Sequence, residues 1–477
     1  MSTYQIVIGF LISNSFIRPS IATTFSPRSL QMNPNNVGSR FWRQYPEASY
    51  WLAATLIGSL ALYFVAKVHQ ADFLVFLDAG RAVLHGKSPY PLLGSASVYS
   101  GSAFVYPYWI AAAFAPLALL GTATATLVFV WGSILAYALT VRLLIGRDLI
   151  VLGLLLFASP VLISLQMGTL TPWLALAVAL AWRYRDTAIL AGVVVAGAAT
   201  SKLFLFPLVF FFLATRRYRG FAATFAASAA VVGFGFVVGP LDLWGYAHLL
   251  VSLAGHESTQ SWSALGLGEA YGLGSIAAKY VVAFGSGASL LLLGSRWHST
   301  RDDGAVMAGS IVVSLLATPI LWSSYLPMIA VALLVMVPRR GVLAFFAVPS
   351  WLLVTVDRGG TAGVVVGVAA VLFVAALALG ELFPEAEPAS TGLRLLARLR
   401  GSPMAQIAWP RFGASSISVG VLVAIGLVLA LNAPHFAPAI AVQATLIGLL
   451  LGANHLLGSA TADASLQESD IGGATSS

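Results

Sequence analysis

Apolar runs of spanning or near-spanning length recur from residue 46 to residue 458, and the arginines between them crowd into alternate loops. A membrane-crossing helix needs about 20 apolar residues, and short loops rich in Lys and Arg stay cytoplasmic. Candidate spans lie at 50–68, 122–141, 149–165, 170–182, 187–201, 203–215, 220–240, 280–294, 305–321, 323–337, 341–356, 361–379, 414–432 and 438–457. With both termini cytoplasmic, one side receives the N-terminal Arg18, Arg28, Arg40 and Arg43, then Arg142/Arg147, Arg183/Arg185 and "RRYR" at 216–219. The same side receives Arg296/Arg301, "PRR" at 338–340, and Arg394, Arg398, Arg400 and Arg411. Of the 25 Lys and Arg, only Lys67, Arg81, Lys87, Lys202, Lys279 and Arg358 fall outside those loops. The expected fold class is therefore an all-α polytopic membrane protein of about 12–14 transmembrane helices.

The composition fits no soluble alternative: 59% of residues are apolar and 9% charged, against about 25% charged in soluble domains. The net charge of +8 reports orientation rather than nucleic-acid binding, and no nucleic-acid partner is expected. With no cysteine, disulfides and thiolate metal sites are excluded. No HExxH, P-loop or GxSxG pattern stands in a usable context, and no paired acidic ligands are evident, so neither a metal nor a cofactor is expected. The expected organisation is a polar cytoplasmic tail at 1–45, a core at 46–380, a cytoplasmic linker at 381–412, a helix pair at 413–458 and a polar tail at 459–477. The run "YQIVIGFLI" lacks a basic flank, so no signal peptide is expected.

This topology constrains "FVYPYWIAAAFAPLALLG" at 104–121, because a full crossing there would invert every later loop. Its Pro107 and Pro116 suit a re-entrant or short helix on the outer side; an ordinary short span with a second missed crossing is the alternative. The first outer loop then opens with "HQADFLVFLDAGRAVLHGKSPYP" at 69–91. Phe73, Phe76, Leu77, Gly80 and Leu84 recur at helical spacing, which predicts an interfacial amphipathic helix ended at Gly86. Asp78 and Arg81, three apart, are expected to pair.

Several polar residues gather on the outer side. Asp72 stands at the mouth of the first span, either as a functional carboxylate or as a helix cap. Lys202 lies between two apolar helices, far from the cytoplasmic arginines. Either it meets an anionic partner or it snorkels to the interface. Gln166, at another outer turn, suits a sugar hydroxyl or local turn bonding. The loop 255–275 and the segment 317–327, with Trp322, Ser323 and Tyr325, suit either carbohydrate or an aromatic belt.

"DFLVFLDAGRAVLHGKSPY" resembles the first outer loop of polyprenol-phosphate-sugar-dependent glycosyltransferases of the GT-C fold. It is most similar to glycosyltransferase family 87, which includes mycobacterial phosphatidylinositol mannoside mannosyltransferases. The positions that carry the likeness are Asp72, Val75, Phe76, Gly86, Pro89 and Tyr90. "FVYPYWIAAAFAPLAL" is similar to the family's Tyr-Pro-Pro helix, with Tyr108 replacing the second proline. "LQMGTLTPW" and the Lys202–Pro207 segment resemble its Gly-Gln-x-Asn and Lys-x-x-Pro helices, and "STQSW" echoes an Asn-Gln-Ser element. The likeness extends over about 70–370. Two features depart from it: a late His-His pair is replaced by Ser324 and Tyr325, and the Gln-x-Asn asparagine is absent, with Thr169 nearby.

The resemblance implies a GT-C-like bundle in the plasma membrane with its active site on the extracytoplasmic face. It implies inverting transfer of a hexose, mannose above all, from a polyprenyl-phosphate sugar donor to a glycolipid or glycan acceptor, among membrane lipids. Asp72 is then the catalytic base; Lys202, with Lys87 and Arg81 behind it, binds the donor phosphate. Gln166, Tyr90, Tyr106, Gln260, Trp322 and Tyr325 are the expected substrate contacts. A lipid-linked-sugar flippase and a catalytically silent homologue are the alternatives.

Overall fold

The computed structural model describes residues 70–258 and 261–336, together with 347, 350, 439–440, 442–443 and 445–450. All of them lie in one compact unit, Leu52–Ser477. Among the described residues every regular element is helical, and the chain is an all-α polytopic membrane protein. The helices are α1 Ala71–Leu84, α2 Tyr108–Ala118, α3 Thr122–Leu144, α4 Leu149–Phe157, α5 Ser159–Met167, α6 Thr171–Arg183 and α7 Ala188–Ser201. A 3-10 segment, Leu203–Leu208, leads into α8 Val209–Ala214. Then follow α9 Tyr218–Val238, α10 Leu243–Glu257, α11 Ala264–Ala270, α12 Ser275–Thr300 and α13 Asp303–Ala317. A 3-10 turn, Ser323–Tyr325, precedes α14 Pro327–Met336. The predicted spans at 50–68, 361–379 and 414–432, the tails and the 381–412 linker lie outside the described residues, as do most of 341–356 and much of 438–457.

Only α3, α9 and α12 are long and apolar enough to cross singly among the described residues; the α4–α5 pair makes a fourth if it counts as one broken span. Helices do occupy the predicted spans at 170–182, 187–201, 203–215, 305–321 and 323–337, but they are shorter than a crossing requires. At about 1.5 Å per residue, the 14-residue α7 rises roughly 21 Å, against roughly 30 Å of hydrocarbon. The 26-residue α12 rises roughly 39 Å. The long α9 and α12 keep only 11% of their most apolar stretch buried, as lipid-facing helices do. The short α7 and α13 supply much of the buried core.

The short helices share a polar end. Arg217 Nη2 pairs with Asp186 Oδ1 at 2.9 Å and Asp303 Oδ2 at 2.8 Å, and Trp297 Nε1 donates to Asp303 Oδ1 at 2.9 Å. Arg216 Nη2 meets His298 Nδ1 at 3.2 Å. Three of the basic loops, those after α6, α8 and α12, therefore meet at one end of the bundle. From there α7 runs to Lys202 and α13 to Thr318, while α6 begins at Thr171 and ends in this cluster. Lys202 thus stands at the opposite end from Arg217.

Helices α4 and α5 meet at a 70° bend. Bending frees backbone groups that lipid cannot satisfy. Ser350 satisfies one of them: its Oγ accepts from the Ser159 N–H at 3.1 Å, while its carbonyl accepts from the Ser159 side-chain Oγ at 2.6 Å. Val442, Leu446, Leu449 and Leu450 join the same core, and Gln443 Nε2 donates to the Trp262 carbonyl at 2.7 Å.

The apolar stripe of α1 packs on protein. Phe73 stacks on Phe129 at 4.7 Å and Phe76 lies 4.9 Å from Phe114, whereas Leu84 is exposed. Gly80 permits this contact, since a Cβ there would lie 2.8 Å from the Phe114 carbonyl carbon. Arg81 Nη1 bonds Asp78 at 2.8 Å, as the spacing predicts. The helix ends at Gly86, whose φ is 65°.

Candidate functional site

The start of α1 is fixed from α5. Gln70 takes a left-handed conformation, donates its N–H to the Gln166 carbonyl at 2.9 Å, and donates Nε2 to the Leu165 carbonyl at 2.7 Å. Gly168, with φ 67°, closes this latch: a Cβ on it would lie 2.5 Å from both Gln70 Oε1 and Phe73 Cβ. Gly168→Ala combines a left-handed alanine with an overpacked contact, for a cost of about 2–4 kcal/mol. The expected result is a lower melting temperature in detergent and a displaced Asp72; an unchanged melting temperature would contradict the latch.

Asp72 is held two residues beyond Gln70, half-buried. It has no hydrogen bond and no ion pair among the described residues. Almost every other acidic side chain there has a job. Asp148, Asp242 and Asp302 cap helices. Asp78, Asp186 and Asp303 bind arginines, and Glu269 accepts from Ser258 at 3.0 Å. Asp72 and Glu257 alone are unoccupied among the described residues. Burial pushes the Asp72 carboxyl above its ordinary range, and the Lys202 charge pulls it partly back.

Lys202 terminates α7 in an extended conformation and is 7% exposed. The 3-10 segment after it, carrying Pro207, turns the chain and sets Phe204 against Tyr325, ring on ring at 5.1 Å and 7°. The Lys202 ammonium lies 3.8 Å from the Tyr325 ring centroid and 5.5 Å from that of Tyr106. Such cation–π contacts stabilise a desolvated cation by about 2 kcal/mol, well short of what a buried unpaired charge costs. No carboxylate among the described residues lies within ion-pairing distance of it.

Tyr106, half-buried, packs edge-on to Phe76 at 4.8 Å. Burial above all, then Tyr325, Asp72, Tyr246 and Glu257, hold its hydroxyl protonated well beyond the usual range. It therefore remains a hydrogen-bond donor at physiological pH. An aromatic wall continues from it through Phe104 to Tyr90 and Tyr246, in steps of 5.8, 5.5 and 6.1 Å. Tyr246 donates its hydroxyl to the Val105 carbonyl at 3.2 Å.

The structure thus brings Asp72, Lys202, Tyr106 and Tyr325 together, with Tyr90 on the adjoining wall. Gln166 stands beside them but acts through its backbone carbonyl. Trp322 opens the Tyr325 turn and is 37% exposed. Arg81 is engaged by Asp78 and by Thr122 Oγ1 at 2.7 Å, nine residues along α1 from Asp72, or roughly 14 Å. Lys87 is exposed in the following turn. Gln260 lies outside the described residues. Sequence reasoning missed Gln70, Tyr246 and Glu257; the signal for Glu257 was an acidic residue in the 255–275 segment with no basic neighbour at helical spacing.

No curated protein and no solved structure matches the chain. The family model for glycosyltransferase family 87 matches residues 104–319, a span that holds Tyr106, Gln166, Lys202 and Glu257 but stops short of Asp72 and Tyr325. Over that span the chain is similar to the membrane glycosyltransferases of family 87.

Proposed function

We propose that the protein transfers a hexose, mannose by family likeness, from a polyprenyl-phosphate sugar to a hydroxyl of a glycolipid or glycan on the outer face of the plasma membrane. The observation that carries this reading is a buried ammonium and a half-buried carboxylate, neither of which has an ion-pair or hydrogen-bond partner among the described residues. A lipid phosphate satisfies the first, and an acceptor hydroxyl satisfies the second.

Asp72 takes the proton of the acceptor hydroxyl as its oxygen attacks the anomeric carbon. The bond from that carbon to the donor phosphate oxygen breaks, and the electron pair leaves with the phosphate. Attack opposite the leaving group inverts the anomeric centre. A phosphate is a weak base, so its departure needs no general acid. The growing negative charge needs a cation, and Lys202 supplies it in a poorly hydrated site. Tyr106, kept protonated, adds a donor to the same oxygens. Tyr90 and Tyr325 offer apolar faces to the sugar, and Gln166 and Trp322 border the same space. The short inner helices support a phosphate that reaches Lys202 without leaving the bilayer.

The test is transfer of labelled hexose from polyprenyl-phosphate hexose in proteoliposomes, followed across pH. Only ionised Asp72 acts as the base, and burial raises its pKa above 3.8. Activity is therefore expected to fall on acidification through an apparent pKa higher than 3.8. Movement of the donor across the bilayer with no transfer would overturn the proposal in favour of a flippase.

A further inference from the structure

Glu257 is the other carboxylate that the fold leaves unoccupied, and it is held in place as deliberately as Asp72. It closes α10, which is fastened at three points. Tyr246 bonds the Val105 carbonyl, one residue before Tyr106. The His256 ring lies 4.4 Å from that of Tyr99. Just beyond α10, the Trp262 N–H donates to the Leu321 carbonyl at 2.9 Å, four residues before Tyr325. The first tie holds the start of α10 beside the Tyr106 segment, and the last holds the chain five residues past Glu257 beside the Tyr325 segment. The Glu257 carboxylate is half-buried, and its charge is the weakest of those that raise the Tyr106 hydroxyl. Glu269, twelve residues on, takes the local bond from Ser258 and leaves Glu257 free of any hydrogen bond or ion pair among the described residues.

From this convergence we infer that Glu257 is the sugar-selecting residue of the site, accepting hydrogen bonds from a pair of neighbouring hydroxyls on a saccharide. The inference rests on the transfer reading above. A carboxylate has two oxygens that accept only, and adjacent ring hydroxyls present two donors at matching spacing. The Tyr90–Tyr246 wall, at the start of the same helix, offers the flat apolar faces on which a sugar's C–H face rests. Asp72 and Lys202 are committed to the attacking oxygen and the leaving phosphate, so neither reads the remaining hydroxyls. Glu257 does. The hydroxyls belong either to the transferred hexose or to a sugar of the acceptor.

The experiment uses the full chain in nanodiscs with polyprenyl-phosphate glucose and its mannose and galactose counterparts, each of which differs from glucose in one hydroxyl configuration. Glu257→Ala is expected to reduce discrimination among these donors, or to raise KM for a saccharide acceptor, by about 10- to 100-fold, the range for hydrogen bonds to a charged group. The effect falls on KM and selectivity, unlike that of Asp72, which falls on kcat. Glu257→Gln preserves shape and one acceptor, giving an intermediate loss if the alanine variant fails to fold. A change in donor selectivity assigns the hydroxyls to the hexose, and a change confined to acceptor KM assigns them to the acceptor. Wild-type selectivity and KM in both variants would overturn the inference and leave the Asp72–Lys202 reading standing. If the wild type transfers no sugar, binding decides instead: a polyprenyl-phosphate hexose must bind more tightly than polyprenyl phosphate, or a glycolipid more tightly than its sugar-free lipid, and Glu257→Ala must erase the difference, with Glu257→Gln reducing it. Equal binding by the wild type in both comparisons overturns the inference.

Discussion

Asp72→Asn lowers kcat for hexose transfer by about 10²–10⁴-fold, the usual contribution of a general base, with donor KM little changed. Asparagine keeps the shape and removes the acceptor of the proton. Because Asp72 makes no hydrogen bond or ion pair among the described residues, the substitution breaks no contact of the fold. Its burial raises the cost of the charged form, so the neutral amide leaves the melting temperature equal or higher. Steady-state kinetics and a thermal melt on one preparation separate chemistry from folding. Transfer within threefold of wild type would remove Asp72 from the reaction.

Lys202→Met lowers kcat/KM by about 10²–10³-fold, as loss of a charge that stabilises a developing anion does. Methionine follows the lysine stem and still packs on Tyr325. The 7% exposed ammonium is costly to bury without a counter-ion, so the variant is expected to melt no lower than wild type. A second signature accompanies the rate loss. Lys202 lowers the pKa of Asp72, so its removal moves the acidic limb of the residual activity to higher pH. A stable variant with wild-type kcat/KM would sink the phosphate assignment. An unmoved limb would separate Lys202 from Asp72.

The local parts of this arrangement were legible in the sequence. Hydrophobic spacing gives the α1 stripe and the Asp78–Arg81 pair, because both depend on residues three or four apart. A lone lysine between apolar runs marks Lys202, because burying a charge is expensive wherever the chain goes. The long-range parts were not legible. Nothing near Gln70 announces a left-handed residue bonded to Leu165, ninety-five positions away. Glu257 leaves one faint sign, the lack of a basic neighbour at helical spacing, and stands out once the partners of the other carboxylates are known. The shortness of the inner helices was legible as well, since the runs at 170–182, 187–201 and 203–215 hold only 13–15 residues, fewer than a full crossing requires. The α4–α5 bend did leave a sign in Pro160, which suits the first turn of a new helix better than the middle of a span.

The bend carries a consequence for how the protein is made. Ser350, which caps it, is synthesised 191 residues after Ser159. At about 5–20 residues per second, roughly 10–40 s separate the two. During that interval the corner has no such cap, and Gln166, whose carbonyl helps latch Asp72, sits on the helix that starts there. The corner is therefore completed by a segment that reaches the membrane well after it, so a chain halted before residue 350 holds Asp72, Gln166 and Lys202 with the α4–α5 bend uncapped.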